Sequence, residues 1–170
     1  MQRKDPILAQ LRLNEARKIF SDTVNRQSIA LNVLAVQIAM EKGKPGDAFK
    51  ITRDAIDHFP SSRAMSNLHI EALSKGHRYD ECLRFLRKMK QRYPEDASLR
   101  KKTAEIYAGM GKKGLMHLSM AEYYHLLQAN EMALEQLNLA RREKDTTFYE
   151  HSLIDVYERE WKAEIKEAKK

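Results

Sequence analysis

The chain has 170 residues, 42% of them hydrophobic and 32% charged, with a formal net charge of +7 at pH 7, and this length and apolar content suit one domain with a continuous core. Good helix formers dominate, and no alternating β-branched run is long enough to predict a strand. No apolar stretch reaches membrane-spanning length and no signal-peptide pattern opens the chain, so we expect a soluble polypeptide.

The first predicted helix begins with Asp5 and Pro6, a capping residue followed by a proline at the first helical position. It runs to about Thr23 within a flanking segment, residues 1–25. The helix is indicated by apolar residues at roughly helical spacing: Leu8, Leu11, Ala16, Ile19 and Phe20.

Two helical hairpins are predicted next. The first pairs a helix over 26–42 with one over 47–59, and the second pairs 62–75 with 78–93. In each hairpin a glycine turn closes the first helix and a proline stops the second. The interior of helix 26–42 is apolar nearly all round, which predicts packing on more than one side.

The two hairpins are related by a 34-residue spacing. Matched residues keep it once or twice: Pro60 and Pro94; Ala48 and Cys82; Ala55 and Met89; Val36, Ile70 and Ala104; Ala39, Leu73 and Tyr107; Gly43, His77 and Gly111. This period is typical of the tetratricopeptide repeat, whose stacked hairpins build a solenoid with a concave binding surface. We therefore predict an all-α helical-hairpin solenoid of about eight helices.

The register slips by half a period in the third repeat. Ala121 and Tyr124 repeat the pair Ala104 and Tyr107 after 17 residues. A helix over about 114–128 thus takes the place of a second helix while carrying first-helix residues.

A last helix is predicted from about Thr146, charged at its end as a solenoid cap requires. Its apolar side is formed by Leu153, Val156, Tyr157 and Trp161. We predict a single domain, 1–170, whose parts follow the flanking segment in this order: repeat one over 26–60, repeat two over 61–94, slipped repeats three and four over 95–145, and a capping helix over 146–170.

The C-terminal half resembles a known family. The run His117-Leu-Ser-Met-Ala-Glu-Tyr-Tyr-His125 leads into Ala133-Leu-Glu-Gln-Leu-Asn-Leu-Ala-Arg141, and Phe148-Tyr149 and a charged helix follow. This pattern is similar to the C-terminal tetratricopeptide domain of bacterial periplasmic zinc-metalloprotease–chaperones of the BepA type, which serve outer-membrane protein assembly. Leu11-Arg-Leu-Asn-Glu-Ala-Arg17 resembles the helix that leaves the protease domain in that family.

The resemblance implies a periplasmic, non-catalytic part of a larger enzyme that holds substrates or assembly partners. Catalysis in that family uses a His-Glu-x-x-His helix that binds zinc. This chain has no such motif, and the nearest string, His69-Ile-Glu71-Ala-Leu73, lacks the second histidine. We therefore expect no catalytic residue, metal site or cofactor in this chain, with zinc belonging to the protease domain of the parent.

The concave surface is the candidate partner site, against the alternative of an ordinary solvated helix face. First helices line this surface in such repeats, and the repeat phase places there Val33, Gln37, Met40, Glu41, Asn67, Leu68, Glu71, Lys75, Lys101, Lys102 and Glu105. Apolar residues beside lysines suit an extended or helical peptide with apolar anchors and some acid character.

Some tetratricopeptide domains clamp a C-terminal carboxylate with five Lys, Asn and Arg side chains. The corresponding positions here are Val33, Gln37, Leu68, Ser98 and Lys102. Only Lys102 suits that chemistry, which argues against a clamp.

Residues 84–113 contain ten cationic and three acidic side chains, which accounts for the whole net charge. In the rest of the chain the positive and negative charges are equal in number. A second-helix group is predicted to form a basic patch on the convex side: Arg84, Arg87, Lys88 and Lys90. Lys101 and Lys102 are predicted to face the groove instead. This split weakens a nucleic-acid track and favours an acidic protein, peripheral contact with anionic lipid headgroups, or a plain solvated face.

Cys82 is the only cysteine, so no intrachain disulfide forms, and its repeat position predicts a buried small hydrophobe. No two of the six histidines lie three or four residues apart, and ordinary surface or half-buried histidines are expected. A second interpretation of the whole chain is a stand-alone cytoplasmic scaffold that binds an acidic protein or RNA. The sequence leaves the partner and the oligomeric state open.

Overall fold

The computed structural model describes residues 5–24 and 28–168, with the backbone alone for residues 20–24. Those residues form nine α-helices and no strand: α1 (Pro6–Val24), α2 (Ile29–Glu41), α3 (Pro45–His58), α4 (Arg63–Lys75), α5 (Tyr79–Arg92), α6 (Ala97–Gly109), α7 (Lys113–Leu126), α8 (Asn130–Arg142) and α9 (Phe148–Ala168). The all-α prediction is confirmed. Three of these helices, α6 to α8, lie within residues 95–145.

Some of the described helices begin at a capping side chain that lies just before them. Asp5 Oδ1 accepts a hydrogen bond from the N–H of Ile7 at 2.9 Å. Asp96 Oδ1 accepts from the N–H of Ser98 at 3.0 Å. Each bond satisfies a backbone donor that has no partner inside its helix, which typically stabilises a helix by about 1 kcal/mol.

Among the described residues, four helices end in the same left-handed turn. The residues with positive φ are Gly43 (67°), His77 (54°), Gly111 (72°) and Gln128 (58°). After each, the next N–H reaches back five residues, as from Lys44 to the Ala39 carbonyl at 2.9 Å, which is the Schellman end of a helix. The first three turns are 34 residues apart and the fourth follows 17 later, so the backbone keeps the spacing of the sequence matches.

The chain divides into two compact units, an N-terminal unit that ends at Arg78 and a C-terminal unit that begins at Tyr79. In the N-terminal unit each helix packs on the next one, and α2 also packs on α4. Within residues 5–24 and 28–168, no helix combines the length and apolar character needed to cross a bilayer.

Helix α2 is the centre of the N-terminal unit. One side buries Ala35 and Ile38 against α1, while another buries Val36 and Ala39 against α3 and α4. The prediction that this helix packs on more than one side is confirmed.

Helix α1 buries only part of its apolar residues. Leu13 is its buried contact, at 1% exposure, whereas Leu11 is 54% and Ile19 69% exposed. Leu8 is also exposed and Ala16 half-buried; the side chain of Phe20 lies outside the described residues. Helical spacing identifies the apolar residues of a helix but does not decide which of them are buried.

A polar contact joins α3 to α4 inside the N-terminal unit. Thr52 Oγ1 lies 3.0 Å from the Ala48 carbonyl and 2.9 Å from His69 Nδ1. The His69 ring stacks on Phe49, and both Thr52 and His69 are buried. His69 is therefore a core residue, not one of the surface or half-buried histidines that the sequence predicted.

The C-terminal unit closes on helix α9. Each of its helices packs on the next, and α7 also packs on α9. Its core joins buried residues of α7, α8 and α9: Leu118, Ala121, Ala133, Leu137, Ala140, Ile154 and Trp161. Of the apolar side predicted for α9, Trp161 is fully part of this core and Leu153 and Tyr157 pack against it.

The start of α7 is held by the loop before α9. The N–H of Gly114 donates to Asp145 Oδ1 at 3.1 Å. The neighbouring Thr146 Oγ1 donates to the Ala140 carbonyl at 2.6 Å. Gly114 lies so close to Thr146 that a Cβ at position 114 would lie 2.3 Å from Oγ1. Any larger residue at position 114 therefore forces Thr146 to shift.

Candidate functional site

A groove of about 390 Å³ lies between α2 and α4 of the N-terminal unit. Its lining residues are Gln37, Met40, Glu41, Leu68, Glu71 and Lys75. All six are among the residues that the sequence assigns to a partner surface. We call this feature the α2–α4 groove.

The α2–α4 groove has an apolar floor and a polar rim. Met40 and Leu68 are half-buried and pack on the core cluster around Val36 and Ala72. The rim is exposed, and within it Lys75 Nζ lies 3.0 Å from Glu71 Oε1. The groove can therefore take an apolar side chain at its centre and polar or charged groups at its edge.

The remaining predicted groove residues do not line this cavity. Val33 on α2 is half-buried and Asn67 on α4 is exposed. Lys101, Lys102 and Glu105 belong to α6 in the C-terminal unit, with Lys102 half-buried and the other two exposed.

The four residues of the predicted basic patch are not all exposed on α5. Arg84, Arg87 and Lys88 on α5 are exposed, whereas Lys90 is half-buried. Lys90 instead lines a second cavity, of about 370 Å³, in the C-terminal unit. That cavity is lined by Lys90, Arg100, Glu122, His125, Leu126, Tyr157 and Trp161, and we call it the cationic cavity.

Arg100 is the central charge of the cationic cavity. Its side chain is only 17% exposed, and its Nε lies 3.7 Å from Glu122 Oε2, which is an ion-pair distance but too long for a hydrogen bond. Within the described part of the chain, Nε and Nη1 are shielded from solvent and donate no hydrogen bond. Shielded N–H groups of this kind are uncommon because each unsatisfied donor costs about 1–3 kcal/mol, and more when it is charged.

Aromatic rings form one wall of the cationic cavity. The Trp161 ring stacks on His125 with centroids 4.2 Å apart and on Tyr157 at 4.9 Å. Tyr157 also donates its hydroxyl to Glu122 Oε1 at 3.3 Å. His125 Nε2 lies 3.6 Å from Glu164, and its Nδ1 finds no hydrogen-bond partner among the described residues.

The electrostatics of the cationic cavity follow from burial and crowding of like charges. Burial lowers the pKa of Lys90, Glu122 opposes this effect, and Arg100 and Arg87 add to it. Burial, together with Glu122, raises the pKa of Tyr157 to about 12. Lys90 and Arg100 are therefore two desolvated cations that share a single carboxylate.

Sequence reasoning did not assemble this cavity. Its residues come from α5, α6, α7 and α9 and span positions 90 to 161, so no local spacing links them. The one signal in the sequence is that Trp161 is the only tryptophan.

The described residues were also compared with the requirements of a metal site and of a reactive cysteine. No three His, Cys, Asp or Glu side chains there are placed to hold a metal ion. Cys82 is fully buried, and burial raises the pKa of its thiol to about 11, which keeps the thiolate scarce at neutral pH.

Comparison with known proteins gives no match: no family model fits the chain, and no curated protein matches it significantly.

Proposed function

We propose that this chain is a protein-interaction module that binds a segment of a substrate or assembly partner in the α2–α4 groove. The observation that carries the proposal is the convergence of six predicted contact residues on one cavity. A floor made by Met40 and Leu68 suits an apolar anchor, and the methionine adapts its shape to different side chains. Grooves between helices take helical or extended peptides in this way.

Charged groups line the rim of the groove. Glu41, Glu71 and Lys75 lie there, and Lys75 pairs with Glu71. These groups suit a segment that presents polar or charged residues beside its apolar anchor. The acid character expected of the partner depends on Lys101 and Lys102, which lie in the other unit.

The repeat architecture supports a tetratricopeptide-type module. Left-handed helix ends recur at Gly43, His77 and Gly111 with the 34-residue period of that repeat. We propose that the module is the non-catalytic part of a periplasmic metalloprotease–chaperone, on the basis of the resemblance at 114–142. The exposed apolar residues Leu11 and Ile19 of α1 support contact with a further domain or partner.

Site-directed photocrosslinking tests the groove. Cysteines placed at Gln37 and Glu71 carry a photoactivatable maleimide, and Asp57→Cys, exposed on α3, is the matched control. Cys82 does not compete for the label because it is buried and its thiol pKa is about 11. We expect partner adducts from an envelope extract at positions 37 and 71 at least about tenfold above position 57, and an adduct map lacking both groove positions contradicts the assignment.

The substitution Glu71→Lys adds specificity to this experiment. If the rim charge is part of recognition, reversing it weakens adduct formation at position 37 and leaves the fold intact, since Glu71 is exposed. Unchanged crosslinking in this variant means that the groove charge plays no part in binding.

The genomic reading frame tests the parent protein. We expect it to continue upstream of Met1 and to encode a signal peptide and a His-Glu-x-x-His helix. A translation start at Met1 contradicts the periplasmic assignment and favours a cytoplasmic scaffold for an acidic protein or RNA. The groove assignment is independent of that outcome.

A further inference from the structure

The cationic cavity has a charge imbalance that a ligand can complete. Two basic side chains, Lys90 and Arg100, and one carboxylate, Glu122, are among the residues that line it. That carboxylate already accepts a hydrogen bond from Tyr157 and does not reach hydrogen-bond distance of Arg100 Nε. A bound monoanion neutralises the net charge of these three groups, whereas a dianion leaves a net negative charge and is repelled by Glu122.

We propose that the cationic cavity binds a small carboxylate carried on an apolar or aromatic body, with Arg100 and Lys90 holding the carboxylate. The guanidinium of arginine matches the two oxygens of a carboxylate in a planar, bidentate contact. The two shielded donors of Arg100, Nε and Nη1, lie on different edges of the guanidinium, so each offers one hydrogen bond to the ligand, and a bidentate contact pairs one of them with Nη2.

The remaining lining accounts for the apolar body of the ligand. Leu126 and the rings of Tyr157 and Trp161 are the apolar and aromatic part of the lining. The volume of about 370 Å³ lies at the lower end of small-molecule pockets, which run from about 300 to 1,000 Å³. The cavity therefore suits a ligand with one carboxylate and one ring or branched chain, not a polyanion.

The lowered pKa of Lys90 agrees with this ligand class. Desolvation, followed by repulsion from Arg100 and Arg87, lowers the pKa, and an anion placed beside the ammonium opposes both causes. None of the five carboxylate-clamp positions, which include Ser98 and Lys102, lines this cavity. The site differs from a clamp in residues and also in its aromatic wall.

Trp161 makes the site directly measurable, because it is the only tryptophan and lines the cavity. The test titrates the intact chain with 3-phenylpropionate and, separately, with its neutral amide while following tryptophan fluorescence. We expect saturable binding of the acid at least about tenfold tighter than that of the amide, since only the acid pairs with the two cations. Equal binding of acid and amide, or no saturable binding of the acid, overturns the proposal.

Two charge-matched variants locate the site. Arg100→Gln is expected to weaken acid binding at least about tenfold, whereas Arg84→Gln, which removes an exposed arginine on α5, leaves it unchanged. Acid binding that survives Arg100→Gln overturns the proposal. If Arg100→Gln does not fold, the comparison of acid with amide on the unmodified chain decides the question alone.

Two further ligands identify the source of the carboxylate. A tripeptide that ends in phenylalanine with a free carboxylate is compared with the same peptide amidated. Tighter binding of the free-acid peptide than of 3-phenylpropionate assigns the cavity to the C-terminus of a polypeptide, and the reverse assigns it to a free small acid. Displacement of 3-phenylpropionate by an equal concentration of sulfate, a dianion at neutral pH, contradicts the selectivity for a monoanion.

Discussion

Replacing Trp161 with alanine is expected to reduce the free energy of unfolding by about 3–5 kcal/mol, the usual cost of removing a large buried aromatic side chain. Trp161 is 5% exposed and belongs to the core shared by α7, α8 and α9. Its ring also stacks on His125 and Tyr157, so the substitution removes two ring contacts together with the buried area. Small domains are stable by only about 5–15 kcal/mol, and this one change therefore takes a large share of the total.

Phe148→Ala is the matched control for this experiment. Phe148 lies on the same helix and is 88% exposed, so its removal is expected to change the stability by no more than about 0.5 kcal/mol. Urea unfolding is followed by circular dichroism, because Trp161→Ala removes the only tryptophan. If the two variants unfold at the same urea concentration, α9 does not close the C-terminal unit through Trp161.

Gly114→Ala is expected to destabilise the chain by about 1–3 kcal/mol, the range for overpacking a filled site. This sign is opposite to the usual gain of about 0.4–1 kcal/mol when alanine replaces glycine in a compatible conformation. The added Cβ would lie 2.3 Å from Thr146 Oγ1. Thr146 cannot rotate away freely because that hydroxyl is bonded to the Ala140 carbonyl, and moving the loop weakens the Asp145 cap on Gly114.

Gly46→Ala is the control for the sign of the stability change. Gly46 lies in the first turn of α3 with no neighbouring atom within 4 Å of a built Cβ, so alanine is expected to be neutral or mildly stabilising there. Both variants are compared by thermal and urea unfolding. Adding Thr146→Ala to Gly114→Ala should recover part of the loss. A Gly114→Ala variant as stable as the unmodified chain shows that the loop moves away at no cost.

Helix positions were predictable because the signals that set them are local. Asp5 caps α1 as expected, and the Pro60 and Pro94 stops lie within two residues of the observed ends of α3 and α5. The 34-residue matches also coincide with the left-handed turns, since a helix end needs the same conformation wherever it recurs. The left-handed turn at Gln128 follows the half-period spacing, although no glycine in the sequence marks that position.

Packing partners and the cationic cavity were not predictable in the same way. Leu13 of α1 is buried and Leu11 is exposed. Both residues are apolar, so only the packing of the neighbouring helices decides which one is buried. Arg100 and Trp161 are separated by most of the C-terminal unit and meet through tertiary packing. The α2–α4 groove was predictable in part. The repeat phase located the six residues that line it, but it also assigned others that do not.

The pattern of helix packing also bears on how the chain folds. Within each unit every helix packs on its neighbour in sequence or, for α2 with α4 and α7 with α9, on the next but one. The loop closed at each step is therefore short, and its entropy cost grows only slowly with length. Proteins dominated by such local contacts have low contact order and typically fold in microseconds to milliseconds. The α7–α8 hairpin can form before α9 leaves the ribosome, and α9 then needs only to dock Trp161 and Ile154 on a surface that already exists.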